Sequence, residues 1–388
     1  MESDQETSAE TLVVTPQQSL KSAPIWYYKD ENYYFEDGNA VLLLGDQLFK
    51  IHKALFTRRS TFFETLFSLP QSTDRQPEGE SDEDPIVCYD EIEDFRALCW
   101  TLYASPQEIL AQEDWETVDA AKLIAVVGIS HKYEFTLLKD WALDVLEGHS
   151  AINPTGCISK IFNWDRVGRL LILAKRCKRK KLAVRLEADW LGRISEKQGA
   201  ALRAALDTAE RCAELRIFHG KAYYTHLLVI DIFDSRTAKR DPIDLDDERP
   251  CVDDIDEGSY TDETVSQLSE QQKLCIYRGF WSLSLLRSRL AQAPTLTDIP
   301  SCSAHVRMCI PIWQAWWRKV IDDAEQAGNP MNSPGEIMRM MQRRAAEPMH
   351  AYIGKLIECP CDALIRAQAR KMAVKFFSTL ADRFLIPQ

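Results

Sequence analysis

The chain predicts an α+β domain with a small sheet flanked by helices at its N-terminal end, followed by an all-α C-terminal region. Three observations carry this. Strand-like runs end by Tyr89, apolar residues from Trp115 onward fall at helical spacing, and one acid-rich segment interrupts the helical part. That segment, Asp241 to Glu270, holds twelve Asp/Glu and one Arg and accounts for nearly all of the net charge of -12. The remainder is close to neutral.

A chain of 388 residues has room for about two to three domains. Met1 to Pro24 is polar and poor in large apolar residues, which reads as a disordered tail. The sheet domain is expected over 25–149, a helical extension over 150–238, an acidic, disordered linker over 239–271 and a helical module over 272–388. Eleven cysteines lie scattered without a repeating frame, and Met1 to Thr11 has no secretory-signal character. An intracellular, reducing compartment, cytoplasm or nucleus, is the expectation. No apolar stretch approaches the ~18 residues needed to span a bilayer, so no membrane partner is expected.

Each element follows from local chemistry. "IWYYKDENYYF" (Ile25 to Phe35) is dense in aromatics and reads as a cover over the core. Val41 to Leu44 is a short apolar run, Gly45-Asp46 suits a tight turn, and Phe49 with Ile51 alternates on a returning strand. At Ile51-His52 the period changes to helical, with Phe62, Phe63, Leu66 and Phe67 on one side of a short helix. Thr61 and Glu64 form a capping-box pattern at its start, and Pro70 stops it. A short acidic loop, Glu78 to Asp84, precedes the strand "PIVCY" (Pro85 to Tyr89). The helix "EDFRALCWTLY" (Glu93 to Tyr103) follows, with Pro106 as its stop.

Val118 to Val127 and Leu137 to Leu146 read as amphipathic helices joined by "GISHKYEF". A similar hairpin returns 44 residues later: Ser130, Lys132, Leu138 and Ala142 line up with Ala174, Arg176, Leu182 and Leu186. Ala200 to Cys212 and Arg216 to Phe233 are helical in character, although "AYYTHLLVIDIF" also fits a buried strand. Helices fill the last module, with Pro311 kinking or starting one of them.

Candidate chemistry is sparse. His52 could be a base only beside a nucleophile and an orienting carboxylate, and no nucleophile elbow accompanies it. The competing reading, that its ring bonds to nearby backbone and bridges the hairpin to the first helix, is the stronger. His131, at the next helical joint, is read likewise. Cys302, His305, Cys309, Cys359 and Cys361 offer zinc-type ligands, but the spacing of structural zinc pairs is absent, so no metal is expected. Trp313, Trp316 and Trp317 form a stripe that reads as core. "KRCKRKK" places Lys175, Arg176, Lys178, Arg179, Lys180 and Lys181 at the joint of the repeated hairpin. Such a run suits a solvated turn or a nuclear-import signal, and one basic turn is weak support for nucleic acid. Phosphate-loop, dinucleotide, zinc-protease and kinase signatures are absent, which points away from an enzyme and from a cofactor.

Taken together, "DGNAVLLLGDQLFKIHKALFTRRSTFFETLFSLP", "PIVCYDEIEDFRALCWTLYAS" and "GISHKYEFTLLKDWALDVL" resemble the BTB/POZ domain over about Trp26 to Gly148. Phe49, His52-Lys53, Leu55, Ser60, Phe63 and Phe67 carry the likeness, and the chain looks most like fungal BTB-domain proteins with a helical C-terminal extension. The resemblance implies a protein-interaction module that forms homo- or heterodimers and, in several classes, docks a cullin scaffold as a substrate adaptor for ubiquitin ligation. It places a partner-binding charged pocket at the position of Asn39 and Lys53, where this chain has Asn in place of the family's Asp. It also assigns the hydrophobic-x-acid pattern for cullin binding to Tyr89-Asp90-Glu91. The alternative is a nuclear transcription or chromatin regulator imported through residues 175–181.

Overall fold

The computed structural model describes residues 13–14, 26–69, 78–152, 161, 163–197, 199–237, 267–295, 305–326, 334–349 and 361–386. It is α+β, with one small sheet near the N-terminus followed by helices. Two compact units divide it, Met1–Leu186 and Glu187–Gln388.

The first unit is built on a hairpin. β3 (Ala40–Leu44) and β4 (Gln47–Ile51) pair antiparallel from Leu44↔Gln47 to Ala40↔Ile51, around a turn in which Gly45 takes φ 59°. A left-handed φ is where glycine costs least, so the Gly-Asp pair fixes the register. All five residues of β3 are buried, as the unbroken apolar run implies. Leu42 and Leu44 face a core with Phe49, Ile51, Phe56, Phe63, Phe95 and Phe135, whereas Val41 and Leu43 pack with Leu48 on the other face. Phe49 meets Phe95 edge-on at 4.9 Å and Phe56 meets Phe63 at 5.1 Å. Each such ring contributes roughly 1.5–3 kcal/mol by leaving water.

With β1 at Val13–Val14, β2 at Trp26–Tyr34 and β5 at Ile86–Cys88, the sheet has the order β1-β2-β4-β3-β5, with β5 parallel to β3. β2 (Trp26–Tyr34) corrects the expectation of a mere aromatic cover, because it pairs in parallel with β4. Its register shifts between Lys29 and Tyr34, where Asp30 is buried and accepts the N–H groups of Asn32 (3.1 Å) and Tyr33 (2.9 Å) and the Arg96 Nε–H (2.8 Å). A bulge pinned by a buried carboxylate hides the period-two signal. Within the expected tail, β1 (Val13–Val14) pairs antiparallel with β2, and the rest of that tail lies outside the described residues.

α1 (Lys53–Thr57) and α2 (Thr61–Ser68) follow the hairpin. The cap of α2 is Ser60, whose Oγ accepts the Phe63 N–H at 3.1 Å, one residue ahead of the expected Thr61. Pro70 lies outside the described residues. α3 (Ile92–Tyr103) buries Phe95, Leu98, Cys99 and Leu102 as expected. Pro106, expected as a stop, instead opens α4 (Pro106–Leu110) behind the Ser105 capping box, because a first helical position has no N–H to lose.

α5 (Ala120–Lys132) runs straight through "GISHK", so His131 belongs to its last turn and not to a joint. The turn to α6 (Thr136–Ile152) is Tyr133-Glu134-Phe135. α7 (Trp164–Arg176) and α8 (Lys180–Ser195) repeat the motif, with the boundary between the units falling inside α8. Arg169 of α7 reaches Asp94 of α3 through both guanidinium nitrogens. A Cβ on Gly128 would overlap that guanidinium where it now stands, so the glycine leaves room for the ion pair.

The second unit is helical in its described residues. α9 (Gly199–Glu210), α10 (Arg216–Thr237), α11 (Glu270–Leu290), α12 (Ile310–Gln326), α13 (Pro334–Arg344), α14 (Cys361–Ser378) and α15 (Ala381–Phe384) follow in order. "AYYTHLLVIDIF" is helix and not strand. Of the expected acidic linker, residues 239–266 lie outside the described residues, and Ser269 with Gln272 forms a capping box that starts α11 at Glu270. The tryptophan stripe is core: Trp313 and Trp316 stack at 5.3 Å, and Trp317 donates to the Leu290 carbonyl at 2.9 Å. Pro311 sits in the first turn of α12, after a π-helical turn over His305–Cys309. No helix among the described residues is long and apolar enough to cross a membrane.

Candidate functional site

The stretch from β5 into α3 carries the hydrophobic-x-acid pattern. Its three residues separate sharply. Tyr89 is 91% exposed, Glu91 is exposed, and Asp90 turns inward. The Asp90 carboxylate accepts the Lys132 ammonium at 2.6 Å and the Tyr133 hydroxyl, tying the end of β5 to the end of α5. Burial and the facing carboxylate push the Tyr133 phenol far above its ordinary value, so it stays a donor. Burial likewise raises the neighbouring Cys88 thiol to about 11, which keeps it protonated and unreactive. Glu91 supplies a carbonyl to the Phe95 N–H at 3.2 Å and leaves its side chain in water. Anchoring the middle residue ties down the backbone between the two exposed side chains.

Tyr133 extends this patch. Phe62 packs on its ring at 4.9 Å while remaining 40% exposed, and Leu69 at the end of α2 is 53% exposed. A groove of about 330 Å³ lies along this edge, lined by Thr61, Phe62, Thr65, Leu66, Leu69 and Glu134. A second groove, about 590 Å³, continues past Thr61 and Glu134 to Arg58, Arg59, His131 and Lys139. The ring of Phe62 and the cations Arg58, Arg59 and Lys139 share these grooves with the carboxylates of Glu64 and Glu134, a mixed lining that offers both apolar and charged contacts. The sequence placed Phe62 on the packed side of α2. With Phe63 and Phe67 facing the core, Phe62 falls about 100° away, and that spacing is the signal that could have found it.

Asn39 and Lys53 are brought together, but through the backbone. Asn39 Oδ1 accepts the Lys53 N–H at 2.8 Å, and the Lys53 ammonium lies 3.9 Å from Glu80 and over the Phe67 ring at 5.6 Å. Asn supplies this acceptor as well as Asp would, so the helix start is kept and the charge pair is replaced by one to Glu80. His52 is a bridge, with partners other than the expected ones. Its backbone N–H donates to the Tyr103 hydroxyl at 3.0 Å, and Nδ1 lies 3.0 Å from the same oxygen. Nε2 sits 3.3 Å from Asp37, and Phe35 packs at 5.3 Å. A carboxylate orients the ring, yet the hydroxyl it faces is pushed by burial up to about 12 and is occupied from both sides, which makes a poor nucleophile.

The basic run folds as the expected turn. Arg179 is drawn back onto α6, 2.6 Å from Asp144 and 3.4 Å from Asp140. Arg176, Lys178, Lys180 and Lys181 are exposed, and Lys175 is half-buried. In the second unit, Cys309 and Cys361 are buried, while Cys302 and Cys359 lie outside the described residues. No group of three or more His, Cys, Asp or Glu stands at metal-binding geometry among the described residues. Compared with known proteins, the chain matches no family model and no curated protein.

Proposed function

We propose that this chain is a non-enzymatic interaction protein of the BTB/POZ type, which dimerises or recruits a protein partner and serves as a substrate adaptor for a cullin-based ubiquitin ligase. One observation carries the reading: Tyr89 is 91% exposed while Asp90 next to it is locked inward onto Lys132 and Tyr133. An exposed tyrosine next to an anchored residue offers a large ring to a partner, which suits an interface anchor. The order strand, strand, helix, helix, strand, helix is that of the resemblance and supports it further. The test is capture of a cullin N-terminal domain by the full chain, with light scattering for self-association. Tyr89→Ala is expected to weaken capture by roughly tenfold or more. A monomer that binds no cullin overturns the reading.

The second reading, a nuclear transcription or chromatin regulator, is favoured by the exposure of Arg176, Lys178, Lys180 and Lys181 on one turn. Alanine at these four positions in a fluorescent fusion is expected to shift the protein out of the nucleus. Unchanged localisation removes this reading.

A further inference from the structure

α11 is buried along one face and open along the other. Cys275, Ile276, Gly279, Leu283 and Leu290 face the second unit's interior, and a Cβ on Gly279 would overlap the Phe384 ring, so the helix sits tight against α15. On the opposite face Leu274 (60%), Tyr277 (65%), Trp281 (67%) and Leu285 (47%) are exposed. Steps of three, four and four residues align them in one seam, and Phe280 (44%) is exposed on one flank of it. Apolar residues exposed singly are ordinary; an aligned row with Tyr and Trp at its centre marks an interaction surface.

The charges say what would cover it. α11 carries one acid, Glu270, 2.8 Å from Lys273, against Lys273, Arg278, Arg287 and Arg289. Arg278 and Arg289 lie on the same flank of the seam, exposed, with no carboxylate within 4.0 Å among the described residues. Eleven residues separate them, about 16 Å along the helix. Pairing two copies of α11 would set like charges together.

We propose that the Leu274–Leu285 face of α11 is a docking surface for an acidic amphipathic helix of a protein partner. Such a helix brings apolar residues every three or four positions and carboxylates on one flank that meet Arg278 and Arg289. The proposal stands independently of the Tyr89 surface.

The experiment titrates the full chain into a labelled designed helix about three heptads long, with Leu along its seam and Glu on one flank. A Lys-for-Glu copy and a scrambled copy serve as controls. The Glu peptide alone is expected to bind saturably, more weakly as salt rises. Trp281→Ala is expected to lose roughly tenfold or more in affinity. The double variant Arg278→Glu/Arg289→Glu is expected to reject the Glu peptide and accept the Lys copy, a reversal that misfolding cannot produce. Equal binding of all three peptides, or an unaffected Trp281→Ala, overturns the proposal. A dimer dissolved by Trp281→Ala reassigns the face to a second copy, and phosphatidylserine vesicles held by the wild type and not by Trp281→Ala reassign it to a membrane.

Discussion

The turn between α5 and α6 and the turn between α7 and α8 share one backbone and almost no side-chain chemistry. Glu134 and Lys178, 44 positions apart, both take φ 59°. The Phe135 N–H reaches the Ser130 carbonyl at 2.9 Å, and the Arg179 N–H reaches that of Ala174 at 2.8 Å. The pairs Tyr133 to Ile129 (3.0 Å) and Cys177 to Leu173 (2.8 Å) match as well. These are helix C-caps closed by a left-handed residue, and neither uses glycine. What differs is where the following side chain goes: Phe135 enters the aromatic core near Phe56 and Phe63, and the equivalent Arg179 lies back on Asp140 and Asp144. Turn geometry is a local property of the backbone, whereas the energy holding a turn in place comes from what its side chains meet.

If that is right, equivalent substitutions must differ. Phe135→Ala is expected to destabilise the first unit by about 3–5 kcal/mol through a core cavity, read as a fall in urea midpoint and faster amide exchange in α5 and α6. A loss no greater than that of Arg179→Ala would break the comparison. Ser60→Ala removes the bond to the Tyr133 carbonyl (2.6 Å) together with the cap of α2, so the first turn alone loses support. About 2 kcal/mol is expected, and exchange at α7 and α8 should not change. Arg179→Ala is expected to cost at most about 1 kcal/mol, since the pair is partly exposed, and the cost should shrink with added salt. Lys178→Gly is expected to stabilise by about 0.5 kcal/mol by relieving the left-handed residue. Glu134→Gly should gain less, because Glu134 also accepts the Thr61 hydroxyl. Thermal melts of the two variants side by side test this, and a larger gain for Glu134→Gly would contradict it.

Much of this could be read from the residues. The hairpin around Gly45, the repeated helical hairpin and the buried face of α3 follow from period and turn chemistry, which are short-range. β2 escaped because its alternation breaks at Asp30, a carboxylate whose partner Arg96 lies 66 residues away. Ser60 and Thr61 are equivalent as caps by type, and only the Ser60 bond to Tyr133 selects between them. Pro106 was legible as a boundary but not as a beginning. In the candidate site, Tyr89-Asp90-Glu91 could be picked out as a pattern, yet which members face water could not.

The sequence by itself determined the fold class, the two hairpin turns and the concentration of charge in one segment, because each depends on residues a few positions apart. Only the tertiary structure decided that Asp90 is an anchor, that Asn39 accepts the N–H of the first residue of α1, and that α11 leaves Tyr277 and Trp281 in solvent. Those outcomes rest on burial and on partners tens of residues distant. Periodicity reports that a helix has an apolar face, but whether anything covers it depends on the rest of the chain.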